Sequence, residues 1–446
     1  MHKVQPALLR GFDQEYLPRE QLQFNALIEI IRKNFELFGF LPIETPSAER
    51  KEVLTSKGGV EKEIYALSRL AADAEGDEAS TKGALRFDLT VPLARYVAMR
   101  ERELAFPFRR YQIQRVWRGE TPQARKGRFR EFYQCDIDII GDGSLDFIND
   151  AEILGATYTT LAALKLPAFT IRLNNRKILT GCCQAFECLD RSTEVLRVID
   201  KIDKIGSDKV KAELALLNIA PAAVDKLIAL LSLRGLYETI HKKIVSISIQ
   251  NDLLNTGLAE LEAVTKYVKQ LGIPDTAITI DLSIARGLDY YTGTVYETTL
   301  NDYPDVGAIC SGGRYENLAG CYSDRTLPGV GISIGLTRLF SQLKNLNLIK
   351  GTAITPSQAI VIPLVDDLSY PFAIAQQLRT RGINTEMYLE KTKMKKKFDY
   401  ANKLAIPYAV VIGEDEVAKH VISIKNMTTG EQIIGSVDDL VKLVKA

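Results

Sequence analysis

The stretch between Arg109 and Gly141 constrains the fold of this chain more than any other, and it reads RRYQIQRVWRGETPQARKGRFREFYQCDIDIIG. Arginines alternate there with residues that favour β-strands, then fill a turn that contains Gly127, after which the alternation resumes with acidic residues. Because a period of two sends every second side chain to one face, the pattern predicts two adjacent antiparallel strands. Their shared face and joining loop are suited to a flat polyanion such as a nucleoside triphosphate.

Length and charge limit what the rest of the chain can be. With 446 residues, 46% of them hydrophobic, the chain is expected to fold into two or three domains. Its 57 basic and 56 acidic residues give a net charge of +1, so any RNA-binding surface must be a local patch. We find no apolar run near the roughly 20 residues of a membrane span and no signal-peptide core, which predicts a cytoplasmic protein without membrane attachment.

Cysteine and histidine usage argues against several kinds of site. The six cysteines show neither paired CxxC motifs nor a disulfide-dense spacing, so they are interpreted as free thiols. The three histidines, which lie far from the motif-rich segments, argue against a histidine base or a His-rich metal site. Any chemistry is therefore expected to use Arg, Asp, Glu, Gln and Tyr.

The pattern of elements changes along the chain. An amphipathic helix from Glu20 precedes the extended segment FLPIETP, and the acidic segment 71–83 is interpreted as a mobile surface loop. Residues 176–271 are helical in pattern apart from the strand-like VSISI, and strand signals return from residue 272. After a short polar linker, strands and helices alternate to the end, which predicts a compact α/β domain with a largely parallel sheet.

Arg118 and Glu120 are the first candidates for chemistry. A guanidinium matches a phosphate with two hydrogen bonds, and Glu120 could accept the exocyclic amine of adenine, although the pair alone is also consistent with a surface salt bridge. On the returning strand, Phe132, Gln134 and Asp138 share one face at even spacing. A solvent-exposed hairpin is the alternative, which the aromatic residues of this stretch disfavour.

Several segments resemble one enzyme family. The stretch above resembles the second signature motif of class II aminoacyl-tRNA synthetases, specifically of the histidyl-tRNA synthetase family. ARGLDYYTGTVYE and CSGGRYENLAG resemble that family's two histidine-specific signatures, LRFDLTVPLARY its amino-acid-binding strand and GVGISIGLTRLF its third motif. FLPIETP resembles the first motif, whose proline lies at the dimer interface in the family. The terminal segment is similar to the family's anticodon-binding domain.

The resemblance implies an α+β fold with an antiparallel-sheet catalytic domain, a helical insertion and a C-terminal α/β anticodon-binding domain. The expected boundaries are 1–175 and 272–350 for the two parts of the catalytic domain, 176–271 for the insertion, and 356–446 for the anticodon-binding domain. The implied activity is ligation of histidine to tRNA(His) through histidyl-adenylate, by a cytoplasmic homodimer. ATP with Mg²⁺ would be the co-substrate, with no tightly bound metal.

The resemblance also implies roles around ATP. Arg118 would hold the α-phosphate, and Arg286 would approach it from the opposite side and stabilise the charge that develops there. Taken alone, Arg286 is also consistent with a structural ion pair. The remaining implied contacts are Arg128 at the γ-phosphate, Glu120 at the adenine amine, and Phe132 and Arg338 on the two faces of the purine, a stacking arrangement that is physically sensible.

For histidine, the resemblance implies two groups of contacts. Asp88, Thr90 and Gln134 would bind the amino-acid backbone, Asp138 and Tyr291 the ring nitrogens, with Tyr315 capping the pocket. Partners at both ring nitrogens reject apolar isosteres, often by about 10⁴-fold, because a competitor leaves buried groups unpaired. Adjacent strand residues face opposite ways, so at most one of Tyr290 and Tyr291 is expected to line the pocket. Gly312 and Gly313 are expected to permit a close turn.

Two departures from the family pattern affect these expectations. Thr337 stands where many relatives have Glu, which removes one candidate Mg²⁺ ligand. The loop TPQARKG lacks the arginine that commonly precedes Pro-Gln in bacterial relatives, and its expected tRNA contacts are Gln123, Arg125 and Lys126. In the terminal segment a lysine cluster is consistent with either an RNA contact or a solvated helix face, and its members are Lys391, Lys393, Lys395, Lys396 and Lys397.

Two rival functions remain open on the sequence. One is a non-catalytic relative that binds histidine as the regulatory subunit of a biosynthetic enzyme. Such relatives usually lack the terminal domain and some of the four arginines assigned to ATP. This chain has the terminal segment and all four arginines, namely Arg118, Arg128, Arg286 and Arg338. The other is an RNA-binding module without catalysis, in which the lysine cluster would matter and the arginines would not.

Overall fold

The computed structural model divides the chain into two compact units. The first comprises Met1–Gln14 and Ile28–Leu348, and the second comprises Glu15–Leu27 and Ile349–Ala446. The structure describes residues 5–56, 61–69, 82–199, 202–217, 219–247, 249, 251–285, 291–317, 319–349 and 354–445. Arg286, Tyr290 and most of the predicted acidic loop at 71–83 therefore lie outside the described residues.

A nine-stranded sheet forms the centre of the first unit. Its order is β1-β4-β5-β11-β10-β9-β6-β8-β7, while β2 and β3 pair separately. The six strands from β4 to β6 are antiparallel, which confirms the predicted α+β class. The strands are β1 (Leu41–Pro42), β2 (Ala48–Arg50), β3 (Gly83–Leu85), β4 (Phe108–Trp117), β5 (Glu131–Ile140), β6 (Phe169–Asn175), β7 (Arg234–Gly235), β8 (Ile278–Asp281), β9 (Thr294–Leu300), β10 (Ala308–Tyr315) and β11 (Gly329–Gly335).

The predicted antiparallel pair is the hairpin of β4 and β5. Gln114 lies opposite Gln134, and Trp117 lies opposite Glu131. On β5 the odd-numbered Cys135, Ile137 and Ile139 are completely buried in the core, and the even-numbered side chains face the other side of the sheet. The alternation in the sequence thus separates a packing face from a polar face.

Helices cover the sheet and fill the segment between β6 and β8. Those of the first unit are α1 (Pro18–Leu37, which crosses the boundary between the units), α2 (Lys51–Thr55), α3 (Thr90–Arg100), α4 (Ile148–Ala163), α5 (Arg176–Ala185), α6 (Ser192–Ile199), α7 (Ile202–Ile205), α8 (Ser207–Ala215), α9 (Pro221–Leu231), α10 (Tyr237–Ser246), α11 (Asp252–Gln270) and α12 (Leu336–Asn345). None of the helices in the described part of the chain is long and apolar enough to span a membrane.

In the described part of the segment 176–271, helices joined by turns predominate and the two-residue β7 is the one strand. The strand signal at VSISI is wrong, because α10 continues through Val245 to Ser246, with Ile240 and Ile244 buried on its inner face. Helices α5 and α11 approach closely, since a methyl group at Gly257 would lie 2.8 Å from the Ile178 nitrogen.

The second unit has a mixed five-stranded sheet of order β13-β12-β14-β15-β16. Three strands are parallel, as predicted, but β15 and β16 add an antiparallel hairpin that the sequence did not indicate. The hairpin was missed because β16 is short and mostly exposed. The elements are β12 (Ala359–Pro363), α13 (Ser369–Thr380), β13 (Thr385–Met387), α14 (Met394–Lys403), β14 (Tyr408–Ile412), α15 (Glu414–Lys419), β15 (Ile422–Asn426), β16 (Gln432–Gly435) and α16 (Val437–Lys445).

The predicted lysine cluster lies at the start of α14, and its members differ in exposure. Lys391, Lys393, Lys395 and Lys396 are exposed, whereas Lys397 is only 7% exposed and donates to the Pro363 carbonyl at 3.0 Å. Lys397 therefore belongs to the packing of this unit rather than to an exposed basic face.

Candidate active site

Alternate side chains of β5 contribute to two adjoining cavities of the first unit. Asp136 and Asp138 line one cavity, Phe132 lines the other, and Gln134 lines both. We call them the acidic cavity and the arginine cavity. Four residues line both, so the cavities share a boundary made of Arg118, Gln134, Ser311 and Ser333.

The acidic cavity has a volume of about 360 Å³ and four carboxylate side chains in its wall. Every residue that the resemblance assigned to histidine lines it, namely Asp88, Thr90, Gln134, Asp138, Tyr291 and Tyr315. The rest of its wall is made of Glu63, Phe87, Arg118, Asp136, Ile284, Val295, Tyr296, Ser311, Gly312, Gly313, Gly331, Ile332 and Ser333.

Asp138 lies at the centre of a buried network. Its Oδ2 is 2.6 Å from Nη2 of Arg110, and its Oδ1 accepts from the Tyr315 hydroxyl at 3.1 Å. Burial is the largest influence on this carboxyl and raises its pKa to about 7, although Arg110 acts in the opposite direction. An aspartate that is close to half-protonated at neutral pH can accept from or donate to an imidazole.

The other two aspartates of the acidic cavity are also perturbed by burial. Burial raises the pKa of Asp88 to about 6, against the hydrogen bond that its Oδ1 accepts from the Val91 nitrogen at 3.1 Å. Burial likewise raises the pKa of Asp136, and Arg110 opposes that shift too. Arg110 is completely buried, so one guanidinium compensates several carboxylates in a medium where charges interact strongly.

Glycines of β10 and β11 make room for these side chains. A methyl group at Gly331 would lie 2.1 Å from Asp138 Oδ1, and one at Gly313 would lie 2.8 Å from the Tyr291 ring. The expected close turn at Gly312 and Gly313 is wrong, because both lie within β10 opposite residues of β11. They are required for space beside neighbouring side chains and strands rather than for a turn.

The arginine cavity has a volume of about 270 Å³. Every residue that the resemblance assigned to ATP in the described chain lines it, namely Arg118, Glu120, Arg128, Phe132 and Arg338. Arg118 donates from Nε to the Phe87 carbonyl at 2.9 Å, and its guanidinium carbon lies 5.2 Å from the centre of the Phe132 ring. Arg338 donates to the Val306 carbonyl at 2.6 Å. These carbonyl contacts orient the guanidinium groups without neutralising them.

The loop between β4 and β5 leaves its polar side chains exposed. Gln123 precedes the short 3₁₀ turn Ala124–Lys126, which contains Arg125 and Lys126, and none of the three lines either cavity. Gly127 ends the turn with a φ of 64°, which favours glycine. The loop therefore presents two cations and an amide to solvent at the edge of the arginine cavity.

Comparison with known proteins decides the family. A family model described as histidyl-tRNA synthetase matches residues 13–339. The chain belongs to the histidyl-tRNA synthetase family. A second model, described as an anticodon binding domain, matches residues 358–446. Residues 358–446, in the second unit, thus form the anticodon-binding domain that the resemblance implied.

Individual relatives agree over nearly their full lengths. A histidine–tRNA ligase of Clostridium tetani is 50% identical, with 99% of this chain and 98% of that protein covered. One of Stenotrophomonas maltophilia is 47% identical, with 96% and 95% covered. The crystal structure of histidyl-tRNA synthetase from Nostoc sp. PCC 7120 superimposes with a TM-score of 0.89, at 39% identity and with 99% of each chain covered.

Thr337, the departure from the histidyl-tRNA synthetase pattern, has a packing role. Its Oγ1 accepts from the Tyr133 nitrogen at 2.8 Å, and the residue is only 3% exposed. The hydroxyl therefore fixes the start of β5. Among the residues that the structure describes, no group of three or more His, Cys, Asp or Glu side chains is placed to hold a metal ion.

Sequence reasoning missed several residues in and around this site, among them Arg86, Arg110, Asp136 and Ser333. The period of β5 could have indicated Asp136, because it lies between Gln134 and Asp138 on the same face. Arg110 and Ser333 gave no such signal, since only the strand pairing brings them to Asp138 and Asp136. Pairing between distant strands is not encoded in a local pattern.

Arg86 is fully buried and joins the first motif to the second. Its Nη1 donates to the Thr45 and Pro46 carbonyls at 2.5 and 3.1 Å, and its Nε donates to the Arg115 carbonyl at 2.9 Å. The next residue, Phe87, offers the carbonyl that holds Arg118. Arg86 therefore fixes the backbone from which the shared boundary of the two cavities is built.

Proposed function

We propose that this chain activates histidine with ATP, giving histidyl-adenylate and pyrophosphate, and then transfers the histidyl group to a ribose hydroxyl of tRNA(His). One observation carries the proposal beyond family membership. Two cavities of opposite charge adjoin across a boundary that contains Arg118. Adenylate formation joins a carboxylate to an α-phosphate, so the two substrates must meet at such a boundary.

The acidic cavity is the proposed histidine site. Asp138 and Tyr291 bind the two ring nitrogens, and Tyr315 holds the Asp138 carboxylate in place through its hydroxyl. Asp88, Thr90 and Gln134 bind the amino-acid backbone. An apolar side chain in this cavity would leave Asp138 without its ligand hydrogen bond while still buried, which costs about 1–3 kcal/mol or more. Selection of histidine follows from that cost.

The arginine cavity is the proposed ATP site. Arg118 binds the α-phosphate and stabilises the charge that develops there as the histidine carboxylate attacks. Arg128 binds the γ-phosphate, Glu120 accepts from the adenine amine, and the purine stacks between Phe132 and Arg338. The support for this arrangement is that all five side chains converge on one cavity although they come from three separate elements.

Arg286 is the second proposed catalytic arginine, although it lies outside the described residues. By the family pattern it approaches the α-phosphate from the side opposite Arg118. Replacing Arg286 with Ala or His is expected to lower pyrophosphate exchange by about 10²-fold or more, because one charge-stabilising donor is lost. Unchanged far-UV circular dichroism would show that the fold is retained, and exchange close to that of the parent would refute the role.

Mg²⁺ is proposed to enter with the triphosphate. Glu120 is the one carboxylate among the described lining residues of the arginine cavity, and the others are cationic, apolar or neutral. Such a lining does not supply a full set of oxygen ligands, so it fits a metal that arrives already bound to the triphosphate. When bound, Mg²⁺ would neutralise phosphate oxygens of ATP. Because Glu120 is assigned to the adenine amine, the coordination of Mg²⁺ would come from phosphate oxygens and water.

The partners of the reaction are proposed from the exposed residues. Gln123, Arg125 and Lys126 contact the acceptor end of tRNA(His), and the anticodon-binding unit reads the other end. The segment from Leu41 to Pro46 is proposed as part of a homodimer interface, and Leu41 is 58% exposed there. We expect a cytoplasmic protein, and a molar mass of a dimer in sedimentation equilibrium would test the assembly.

An exchange assay across the standard amino acids, with and without tRNA, tests the proposal. Histidine alone should support ATP–pyrophosphate exchange, and charging should require tRNA(His). Histidine binding without exchange would instead identify the regulatory subunit, although the complete terminal unit and the arginines of the ATP cavity argue against it. RNA binding without any exchange would leave only the RNA-binding module.

A further inference from the structure

The end of α5 brings two cysteines together. The helix closes with the backbone hydrogen bonds of a Schellman motif, because the Cys188 nitrogen donates to the Cys183 carbonyl at 2.8 Å and the Glu187 nitrogen donates to the Gln184 carbonyl at 3.1 Å. An apolar contact between the side chains at the two ends frequently accompanies such a motif. Both ends are cysteines here, so the motif sets one thiol against another.

These two cysteines are free thiols within reach of a covalent bond. The backbone hydrogen bond between them limits the separation of their α-carbons to about 7 Å or less. That separation is the limit beyond which two cysteines cannot be bridged without movement of the backbone. The Cys183 thiol also donates a hydrogen bond to the Cys188 sulfur, so the two side chains point at each other.

The hydrogen bond between the thiols makes them chemically different. It lowers the pKa of Cys188, although burial acts in the opposite direction, because the Cys183 thiol stabilises a thiolate at Cys188. The same hydrogen bond, together with burial, raises the pKa of Cys183. Cys182 is completely buried on the same helix, and burial raises its pKa to about 12. Cys188 is therefore the nucleophile of the three, with Cys183 as its neighbouring thiol.

The turn that carries Cys188 lies at the surface and has an unfavourable backbone conformation. Cys188 itself is 3% exposed, but Glu187, Leu189 and Asp190 beside it are exposed. Glu187 has a φ of 56°, a left-handed conformation that residues other than glycine rarely adopt. Glycine is the usual residue at this position of the motif. Local opening of the turn therefore gives a small oxidant access to Cys188.

We propose that Cys183 and Cys188 form a modification site at which hydrogen peroxide closes a reversible disulfide. The Cys188 thiolate attacks one peroxide oxygen, the O–O bond breaks, and hydroxide leaves a sulfenic acid on Cys188. The Cys183 sulfur then attacks the Cys188 sulfur, the S–O bond breaks, and water leaves. The proton that Cys188 lost neutralises the hydroxide, so two thiols are oxidised and one peroxide is reduced to two waters.

The bridge joins the last turn of α5 to the chain that leads into α6, with the unfavourable turn at Glu187 enclosed between its two ends. A thiol reductant reopens it by exchange. Neither cysteine lines the acidic cavity or the arginine cavity, so the proposal does not depend on the proposed function.

Peptide mapping of the full chain tests the site. Trypsin cleaves after Lys177 and Arg191 and releases residues 178–191 as one peptide, which contains Cys182, Cys183 and Cys188. The native chain is treated with hydrogen peroxide, denatured, alkylated and digested. We expect this peptide to carry one alkyl group instead of three, and to regain all three when dithiothreitol precedes alkylation. A second cleavage after Glu187 should leave the two halves of the peptide joined until they are reduced.

Single substitutions assign the two roles. Cys183→Ser keeps a hydrogen-bond donor but cannot close the bridge, so a sulfenic acid should persist at Cys188 and be labelled by dimedone. Cys188→Ser should show neither a bridge nor a dimedone label at Cys183. Cys182→Ser is the matched control on the same helix and should form the bridge as the parent does. Cys321→Ser, which removes an exposed thiol far along the chain, should also form it.

Three alkyl groups on the parent peptide after peroxide treatment would overturn the proposal. This measurement requires no variant, so a substitution that impairs folding would not protect the proposal. A bridge that still forms in Cys188→Ser, or one that is lost in Cys182→Ser, would equally overturn it, because the disulfide would then involve Cys182.

Discussion

The acidic and arginine cavities differ in how their charges are held. Arg110 and Asp138 are buried and 2.6 Å apart. In the arginine cavity the side chain of Arg128 is 47% exposed, and its nearest carboxylate oxygen, on Glu120, is 3.9 Å away. Folding alone fixes the buried charges of the acidic cavity, whereas Arg128 in the arginine cavity remains in contact with solvent.

This difference matches the demands of the two proposed substrates. A small amino acid must be distinguished from many close analogues, and buried groups that require specific partners achieve that. A triphosphate is large, charged and chemically distinctive, so half-exposed arginines that adjust to it are sufficient. Selectivity should therefore depend on the acidic cavity, and salt sensitivity should depend on the arginine cavity.

Removing the shared arginine should have the largest effect. Arg118→Ala is expected to lower pyrophosphate exchange by about 10²- to 10³-fold, because a positioned donor at the developing charge is lost. Arg115→Ala is the matched control, since its side chain is 51% exposed near the same end of β4 and lines neither cavity. If Arg118→Ala retained exchange within a few-fold of the parent, the boundary between the cavities would not be the reaction site.

The pH dependence of stability should reveal the buried carboxyl. The pKa of Asp138 is raised to about 7 by burial, so its contribution to stability is complete below about pH 4 and is lost as the pH rises through 7. Asp138→Asn does not titrate. As the pH rises from about 5 to about 8, the free energy of unfolding of the parent should therefore fall by about 2.5 kcal/mol relative to that of Asp138→Asn. Urea unfolding without histidine measures this difference.

Trp117 makes that measurement specific, because it is the only tryptophan and lies in the first unit. Its fluorescence therefore follows the unit that contains both cavities. The free energy of unfolding of the control variant, Asp302→Asn at an exposed position after β9, should depend on pH in the same way as that of the parent. Parallel pH profiles for Asp138→Asn and the parent would contradict a raised pKa for the buried Asp138 carboxyl.

Tyr315→Phe should affect histidine alone. The variant removes the hydroxyl that donates to Asp138, and loss of a hydrogen bond to a charged group is worth about 1.5–3 kcal/mol. We expect kcat/KM for histidine to fall by about 10- to 100-fold while KM for ATP stays unchanged, in exchange kinetics. Tyr303→Phe, whose ring lines neither cavity, is the control. An equal rise in both KM values would show that the two cavities are not separable.

The smallest effect is expected for Arg128, the half-exposed arginine of the arginine cavity. Arg128→Ala should raise KM for ATP by about 10-fold, and the difference from the parent should shrink at high salt because half-exposed charges are screened. Stability should change by less than about 0.5 kcal/mol, as for most surface substitutions. Arg102→Ala provides an exposed arginine control on the same unit. A salt-independent difference would mean that Arg128 is buried when ATP is bound.

Part of the site followed from the sequence. Alternation along β5 places Phe132, Gln134 and Asp138 on one face, and the local pattern was sufficient because strand geometry has a fixed period of two. The arginines and tyrosines of the other motifs were assigned by family resemblance, and the described ones all line the two cavities. Their roles toward ATP and histidine remain predictions.

What the sequence by itself determined was therefore the antiparallel hairpin and the common face of Phe132, Gln134 and Asp138 on its second strand. The tertiary structure alone decided which groups are paired. Arg110 neutralises Asp138, Ser333 orients Gln134 and Asp136, and Lys397 is packed inside although its lysine neighbours are exposed. Local patterns specify the direction of a side chain, but partners arrive from distant segments, and burial rather than residue type sets the energy of a charge.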